Sequence, residues 1–170
     1  MGIKRTAITI TVEGDEWLES IDRSKDINPN ITATPQEIIS KVAEAGIVGL
    51  GGAAFPSHVK LSVPQGKKAE ALIINAAECE PYLTSDHRVM LEYSEELLIG
   101  IQILKKAIGV EKAYIGIEVN KPDAIEKLKG LIAKYKGIEI VPLKKKYPQG
   151  GEKQLIKAVI NREVPSGGLP

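Results

Sequence analysis

The stretch ALIINAAECEP, residues 71–81, joins an apolar run to a cluster of polar residues. An apolar run that ends in this way is typical of a buried parallel strand whose carboxyl end opens into a site. Two further runs, AYIGIEV at 113–119 and IEIVPL at 138–143, predict a second and a third strand. Because helical patterns separate these strands, the sequence predicts an α/β fold: a Rossmann-like three-layer domain with a parallel β-sheet and right-handed crossovers.

The helical patterns begin at residue 34. Thr34 is suited to cap a helix, Pro35 suits the first helical position, and Glu37 lies where a capping-box carboxylate reaches back. Gly46 is the expected end of this helix. Three further helices are predicted, over 94–108 with Ser94 as its cap, over 122–135 and over 154–160.

The first 33 residues have a different pattern from the rest of the chain. RTAITITV, residues 5–12, alternates polar and apolar side chains and predicts a short N-terminal β arm. Residues 22–34 are rich in Asp, Asn, Ser and Pro, as a surface connection is. We therefore expect an arm and linker over 1–33 and an α/β domain over 34–170. The tail from residue 164, VPSGGLP, has no cap or apolar stop and ends among turn residues, so we expect a fragment of a longer chain.

The composition excludes several classes of protein. The 170 residues include 23 Lys plus Arg and 22 Asp plus Glu, and this near-balance argues against a nucleic-acid partner. The single cysteine, Cys79, rules out an internal disulfide and a thiolate cage completed by this chain alone. His58 and His87 are far apart, so we expect no metal site. No run approaches the roughly 20 apolar residues of a membrane span, so we expect a cytoplasmic chain without direct membrane insertion.

Residues 49–56, GLGGAAFP, form a loop in which backbone amides can approach a ligand closely. Phosphate is the natural ligand of such a loop, and Lys60 could add a positive charge. The loop follows a helix instead of a strand, which argues against the usual dinucleotide fingerprint. A tight structural turn without a ligand is the alternative.

Two more polar segments follow predicted strands. Asn75, Glu78 and Glu80 come directly after the first strand, where open parallel sheets bind their ligands, although a cap with solvated acids is the alternative. The segment YPQGGEK, residues 147–153, follows the third strand, so we expect it to open at the same edge of the sheet. Its amides at the start of the last helix could face an anion or a polar ring edge. The lysines at 144–146 are either a solvated loop face or a basic contact for a nucleotide tail.

These motifs together resemble a known family. The matching segments are GLGGAAFPSHVKL at 49–61, NAAECEPYLTSDHRVM at 75–90, YPQGGEKQLI at 147–156 and REVPSGGLP at 162–170. They resemble the C subunit of the Rnf electron-transport complex, a ferredoxin:NAD oxidoreductase that couples electron flow to ion transport. More distantly, they are similar to the flavin-binding subunit of respiratory complex I.

The resemblance implies an FMN-binding, NADH-oxidising module, with NAD(H) as its substrate and the flavin as the group that carries the hydride chemistry. Lys60 would anchor the flavin phosphate, and Phe55 would border the nicotinamide pocket. Two acids are implied as catalytic, Glu78 near the reactive edge of the flavin and Glu80 at the nicotinamide carboxamide. The residues implied to bind the cofactor are Gly49, Gly51, Gly52, Phe55, Lys60, Asn75, Gly151 and Glu152.

The resemblance also implies a setting. Proteins of this family extend into a cysteine-rich segment with two iron-sulfur clusters that this chain lacks. They work with the other subunits of a membrane-bound complex, which would place this chain peripherally on the inner face of the cell membrane. Two alternatives stay open, a docking or scaffold domain of the same complex that does not catalyse, and the flavin domain of a cobalamin reductase.

Overall fold

The computed structural model describes residues 8–21, 23–24, 26–50 and 53–168. Three strands, β1 (Leu72–Ala76), β2 (Ala113–Glu118) and β3 (Ile138–Leu143), form one sheet in the order β1-β2-β3. Both pairings are parallel, with Ile74 opposite Ile115 and Ile115 opposite Ile140. The predicted parallel sheet is therefore confirmed. β3 has its predicted bounds, and β2 ends one residue before its predicted end. β1 is displaced by one residue at both ends from the apolar run 71–75 that predicted it.

Helices connect and flank these strands. They are α1 (Pro35–Glu44), α2 (Ser57–Leu61), α3 (Ser85–Glu92), α4 (Ser94–Ile108), α5 (Pro122–Leu131) and α6 (Glu152–Ile160). The capping box at α1 is confirmed, because the Glu37 amide donates to the Thr34 hydroxyl oxygen and the Thr34 amide donates to the Glu37 carboxylate. The predicted cap of α4 is wrong, since the Ser94 hydroxyl instead donates to the Met90 carbonyl at 2.6 Å. The predicted helix 122–135 ends earlier, at Leu131, in a short 3₁₀ turn.

The sheet is covered on both faces, as the three-layer prediction requires. Alternate side chains of β2, from Ala113 to Ile117, are fully buried against α3, α4 and α5. The opposite face is smaller and packs against α6, whose Leu155 lies beside Leu143 and Ala77. Gly116 of β2 faces the same helix, where a Cβ would lie 2.9 Å from the side chains of Leu143 and Leu155. α6 can approach the sheet closely for this reason.

The N-terminal arm differs from its prediction. Residues 8–12 form no strand, and residues 5–7 of the predicted arm lie outside the described residues. Ile8, Ile10 and Val12 are 88%, 81% and 82% exposed. Alternation predicts a strand only where an edge is available for pairing, and an isolated segment gains too little from burial to stay extended and ordered. The linker is nevertheless attached at its end, where the Lys106 ammonium donates to the Ile31 carbonyl at 2.6 Å.

Membrane spans need roughly 20 apolar residues in a helix. α4, with 15 residues, is the longest helix within the described ranges. None of the helices there combines the length and hydrophobicity that a membrane span requires.

Gly137 provides a test of how β3 begins. Its φ is +72°, and a Cβ at this position would lie 2.1 Å from the Glu111 carbonyl oxygen. Gly137→Ala should lower the free energy of unfolding by at least about 2 kcal/mol, because it combines left-handed strain with a backbone clash. Gly130→Ala in α5 is the control, since nothing lies within 4 Å of its Cβ. Urea denaturation measures the free energy of unfolding of both variants. Equal values would show that residue 137 does not need to be glycine.

Candidate functional site

The carboxyl ends of the three parallel strands open at one edge of the sheet. A cavity of about 470 Å³ lies there, lined by residues 78–84 after β1, by residues 118, 120 and 121 at the end of β2, by 145–147 after β3, and by His87 of α3. The two predicted acids, Glu78 and Glu80, both belong to this lining. The sequence-based expectation that the loops after β1 and β3 share one edge agrees with this arrangement.

The end of β1 is fastened to the loop that precedes α6. Asn75 Nδ2 donates to the Gly150 carbonyl at 2.9 Å, and Asn75 Oδ1 accepts from the Ala77 amide at 3.2 Å. The Gly150 amide in turn donates to Cys79 Sγ at 2.8 Å. A Cβ on residue 150 would lie 2.7 Å from the Ala77 carbonyl oxygen, so this contact requires glycine.

Glu78 is held from two sides. Its Oε1 accepts from the Asp86 amide at 2.9 Å and from the Ser85 hydroxyl at 3.4 Å, and it thereby caps the first turn of α3. Its Oε2 is buried, has no hydrogen-bond partner among the described residues, and lies 3.8 Å from Lys121 Nζ. The Glu118 carboxylate lies 4.0 Å from the same ammonium. Glu78 therefore caps a helix, which was the alternative to ligand binding, but its carboxylate is buried and not solvated as that alternative assumed.

The electrostatics of this cluster affect one neighbouring acid. Burial is the main cause that raises the pKa of Asp86, and the nearby Glu78 carboxylate raises it further. The Lys121 ammonium acts in the opposite direction and lowers the pKa of Asp86. The cavity therefore has an acidic wall in which Lys121 is the compensating cation.

Backbone hydrogen bonds join the two ends of the glycine loop in its described part. The Gly49 amide donates to the Phe55 carbonyl at 2.8 Å, and the Ser57 amide donates to the Ile47 carbonyl at 3.0 Å. Phe55 remains half exposed. Gly51 and Gly52, which the sequence predicts to approach the flavin, lie outside the described residues. The phosphate cradle stays a prediction.

Lys60 and Glu152 join the glycine loop's side of the site to α6. Lys60 Nζ lies 3.2 Å from Glu152 Oε1, and both side chains are largely exposed. Gly151 precedes the helix, with its amide donating to the Pro148 carbonyl and its own carbonyl accepting from the Leu155 amide. A continuous series of contacts therefore runs from Lys60 through Glu152 and Gly151 to Gly150 and Asn75. Glu78 and Glu80 lie in the neighbouring cavity.

Two buried charged residues of the cavity wall, Glu118 and Lys121, were not predicted from the sequence. Glu118 stands at the end of a strand that is otherwise apolar, and Lys121 follows three residues later. Their side chains are 3% and 8% exposed. A charge in an apolar run is costly unless it is paired, so the sequence did contain the signal. Among the described residues, no group of three or more potential ligands is arranged to hold a metal ion.

The sequence of this chain is similar to those of known proteins. Residues 42–170 match the family model described as the Nuo51 FMN-binding domain. The C subunit of the proton-translocating ferredoxin:NAD(+) oxidoreductase complex of Clostridium ljungdahlii is 51% identical over 98% of this chain and 36% of its own length. The C subunit of the Na(+)-translocating ferredoxin:NAD(+) oxidoreductase complex of Acetobacterium woodii is 48% identical over 96% of this chain and 37% of its length.

A solved structure shares the fold. The crystal structure of an NAD+-reducing [NiFe]-hydrogenase in the air-oxidised state matches with a TM-score of 0.62 and 28% identity, over 72% of this chain and 23% of that one. The chain spans little more than a third of the length of the two curated relatives.

Gly150→Ala tests the junction between β1 and the loop before α6. The added methyl group would meet the Ala77 carbonyl oxygen and Cys79 Sγ, so we expect a loss of about 1 to 3 kcal/mol in the free energy of unfolding. Gly100→Ala in α4 is the matched control, because nothing lies within 4 Å of its Cβ. Chemical denaturation compares the two. A Gly150→Ala variant as stable as the control would show that the junction does not require glycine.

Proposed function

This chain belongs to the family of Nuo51 FMN-binding domains, and we propose that it is the FMN-binding, NADH-oxidising module of an Rnf-type ion-translocating electron-transport complex. The proposed reaction passes a hydride between NAD(H) and FMN within the domain that we assign to residues 34–170. One observation carries the proposal: Lys60, Glu152, Gly151, Gly150 and Asn75 form one series of contacts beside the cavity at the edge of the sheet.

The phosphate end of FMN fits the side of the site that contains Lys60. The Lys60 ammonium is exposed, and its partner Glu152 forms the first residue of α6, whose initial amides and helix dipole favour an anion. An exposed ion pair of this kind contributes little, about 0 to 1 kcal/mol. A phosphate can therefore replace Glu152 as the partner of Lys60 at low cost.

The ring end of FMN fits Asn75. Its amide is fixed by the hydrogen bonds to Gly150 and Ala77, yet the residue remains exposed. An asparagine side chain has two donor hydrogens and two acceptor lone pairs, so one of each is left to bind the polar edge of a ring. Bound FMN would supply the hydride-accepting chemistry, and the protein supplies position and electrostatics.

The proposed binding place of the nicotinamide nucleotide is the cavity. Glu80 is exposed in its lining, two residues beyond the buried Glu78, and its carboxylate is available to accept a hydrogen bond from the nicotinamide carboxamide. Phe55, half exposed in the glycine loop, offers an apolar border. We assign the direct nucleotide contact to Glu80 on these grounds.

The proposed setting is a larger assembly. Ferredoxin:NAD oxidoreductase complexes are the assemblies named for the relatives, so we propose that the other subunits of such a complex are this chain's partners and hold it peripherally at the inner face of the membrane. Single electrons would leave through iron-sulfur clusters elsewhere in the parent protein, because one cysteine cannot ligate a cluster. The relatives' names favour this setting over a cobalamin reductase.

Phosphate recognition is tested by comparing FMN with riboflavin. A charge-assisted contact contributes about 1.5 to 3 kcal/mol, so FMN should bind about 10 to 150 times more tightly than riboflavin. Lys60→Met should remove most of this difference, and Lys67→Met, on an exposed loop residue, is the matched control. Fluorescence titration gives the dissociation constants. Equal affinities for FMN and riboflavin in the unsubstituted chain would rule out the phosphate site.

Glu80→Gln separates the two ligands. We expect FMN affinity to stay within about twofold, whereas the rate at which NADH bleaches bound flavin under anaerobic conditions should change severalfold, since a hydrogen bond to one ligand is worth about 0.5 to 1.5 kcal/mol. The direction of the rate change is open, because a carboxylate both binds the carboxamide and repels the phosphates. Glu96→Gln, exposed on α4, is the control. Loss of FMN binding with an unchanged bleaching rate would reverse the assignment.

A further inference from the structure

Three buried charges meet at the wall of the cavity and form what we call the ion cluster: Glu78, Glu118 and Lys121. Their side chains are only 3%, 3% and 8% exposed. They come from separate positions along the edge, namely the loop after β1, the end of β2 and the residue before α5. The cluster therefore joins two of the loops that enclose the cavity.

The cluster is poorly suited to a purely stabilising role. The Lys121 ammonium is 3.8 Å from Glu78 and 4.0 Å from Glu118, beyond the reach of a good hydrogen bond. Glu78 Oε2 is fully buried without a hydrogen bond among the described residues. Buried ion pairs of this quality are often no more stabilising than apolar side chains of similar volume. Its position beside the proposed nucleotide site suggests a different role.

Glu78 connects the cluster to that site. Its Oε1 binds the Asp86 amide at the start of α3, and its backbone leads within two residues to Glu80. With 3% of its side chain exposed, Glu78 has almost no surface with which to touch a ligand. Whatever it contributes to nucleotide binding, it contributes through the conformation of residues 78–80.

We propose that Lys121 is a positioning residue of the nucleotide site. Its ammonium holds the Glu78 side chain against α3 and thereby fixes the segment that presents Glu80 to the nicotinamide. This inference rests on the proposed function, and it assigns Glu78 a positioning role beside Lys121. The occupant of the cavity is the nicotinamide end of the nucleotide, as proposed above.

The surrounding charges determine what happens when the cation is lost. On α3, Asp86 lies close enough to Glu78 and Lys121 to interact with their charges, and His87 lines the cavity and pairs with Asp123 of α5. Lys145 and Lys146 line the cavity from the loop after β3. Without Lys121, the buried wall would contain two carboxylates and no buried cation. Protonation of a carboxyl would then favour the native arrangement, so the arrangement should persist at low pH and be lost as the pH rises.

The experiment compares the FMN-loaded chain with its Lys121→Met and Lys121→Arg variants, and with Lys129→Met, exposed on α5, as a control. Folding is followed by circular dichroism, FMN affinity by fluorescence, and NADH affinity by flavin absorbance under anaerobic conditions. For Lys121→Met, the dissociation constant for NADH should rise about tenfold near pH 8 and return to within about threefold of the unsubstituted chain near pH 6. FMN affinity should stay within about threefold throughout.

Three outcomes would overturn the inference. The first is a Lys121→Met variant that binds NADH normally at every pH. The second is a loss of NADH affinity or of folding that is the same near pH 6 and pH 8, which a merely structural role would produce. The third is a Lys121→Arg variant that loses NADH affinity about tenfold although it keeps the cation. Failure of the unsubstituted chain to bind NADH would instead overturn the proposed function, and this inference with it.

Discussion

The close approach of Gly150 to the end of β1 is the contact on which the rest of the site depends. A side chain at residue 150 would collide with the Ala77 carbonyl, and the hydrogen bonds to Asn75 and Cys79 could not form together. Through this contact the start of α6 is placed beside β1, and Glu152 comes within reach of Lys60. The absence of a Cβ at residue 150 thus allows three separate segments of the chain to make contact at this edge of the sheet.

The fold was predictable wherever local signals agree with one another. Largely apolar runs predicted the three strands, and the capping box predicted the start of α1, because each signal acts over a few residues. Two predictions failed for different reasons. The arm at residues 8–12 alternates like a strand but lacks an edge to pair with, and a local pattern does not contain that edge. Ser94 fails within its local sequence, because its hydroxyl donates to the Met90 carbonyl four residues earlier instead of capping its own helix.

The sequence was enough to predict which segments meet at the candidate site, but not which residues contact one another there. Parallel strands place their carboxyl ends together, so the polar segments after β1 and β3 were expected at one edge. The contacts within that edge were not predictable, since Asn75 binds a residue 75 positions away and Lys60 binds one 92 positions away. Glu78 illustrates the difference, because the sequence left a cap and a ligand contact open. Only the placement of α3 and Lys121 shows that Oε1 accepts the Asp86 amide and that Oε2 is buried 3.8 Å from the Lys121 ammonium.

The distribution of charge favours one orientation of the proposed ligands in the site. The exposed cation Lys60 and the start of α6 lie at one end of the contact series that reaches Asn75, whereas Glu78, Glu118 and Glu80 line the neighbouring cavity. A dianionic phosphate is favoured at the first end. The cavity lining offers no comparable excess of positive charge, because its three carboxylates are balanced by Lys121, Lys145 and Lys146. With the phosphate at Lys60, the polar edge of a flavin ring is left to Asn75. The carboxamide of a nicotinamide, which offers donor hydrogens and no negative charge, then suits the acidic wall on the far side.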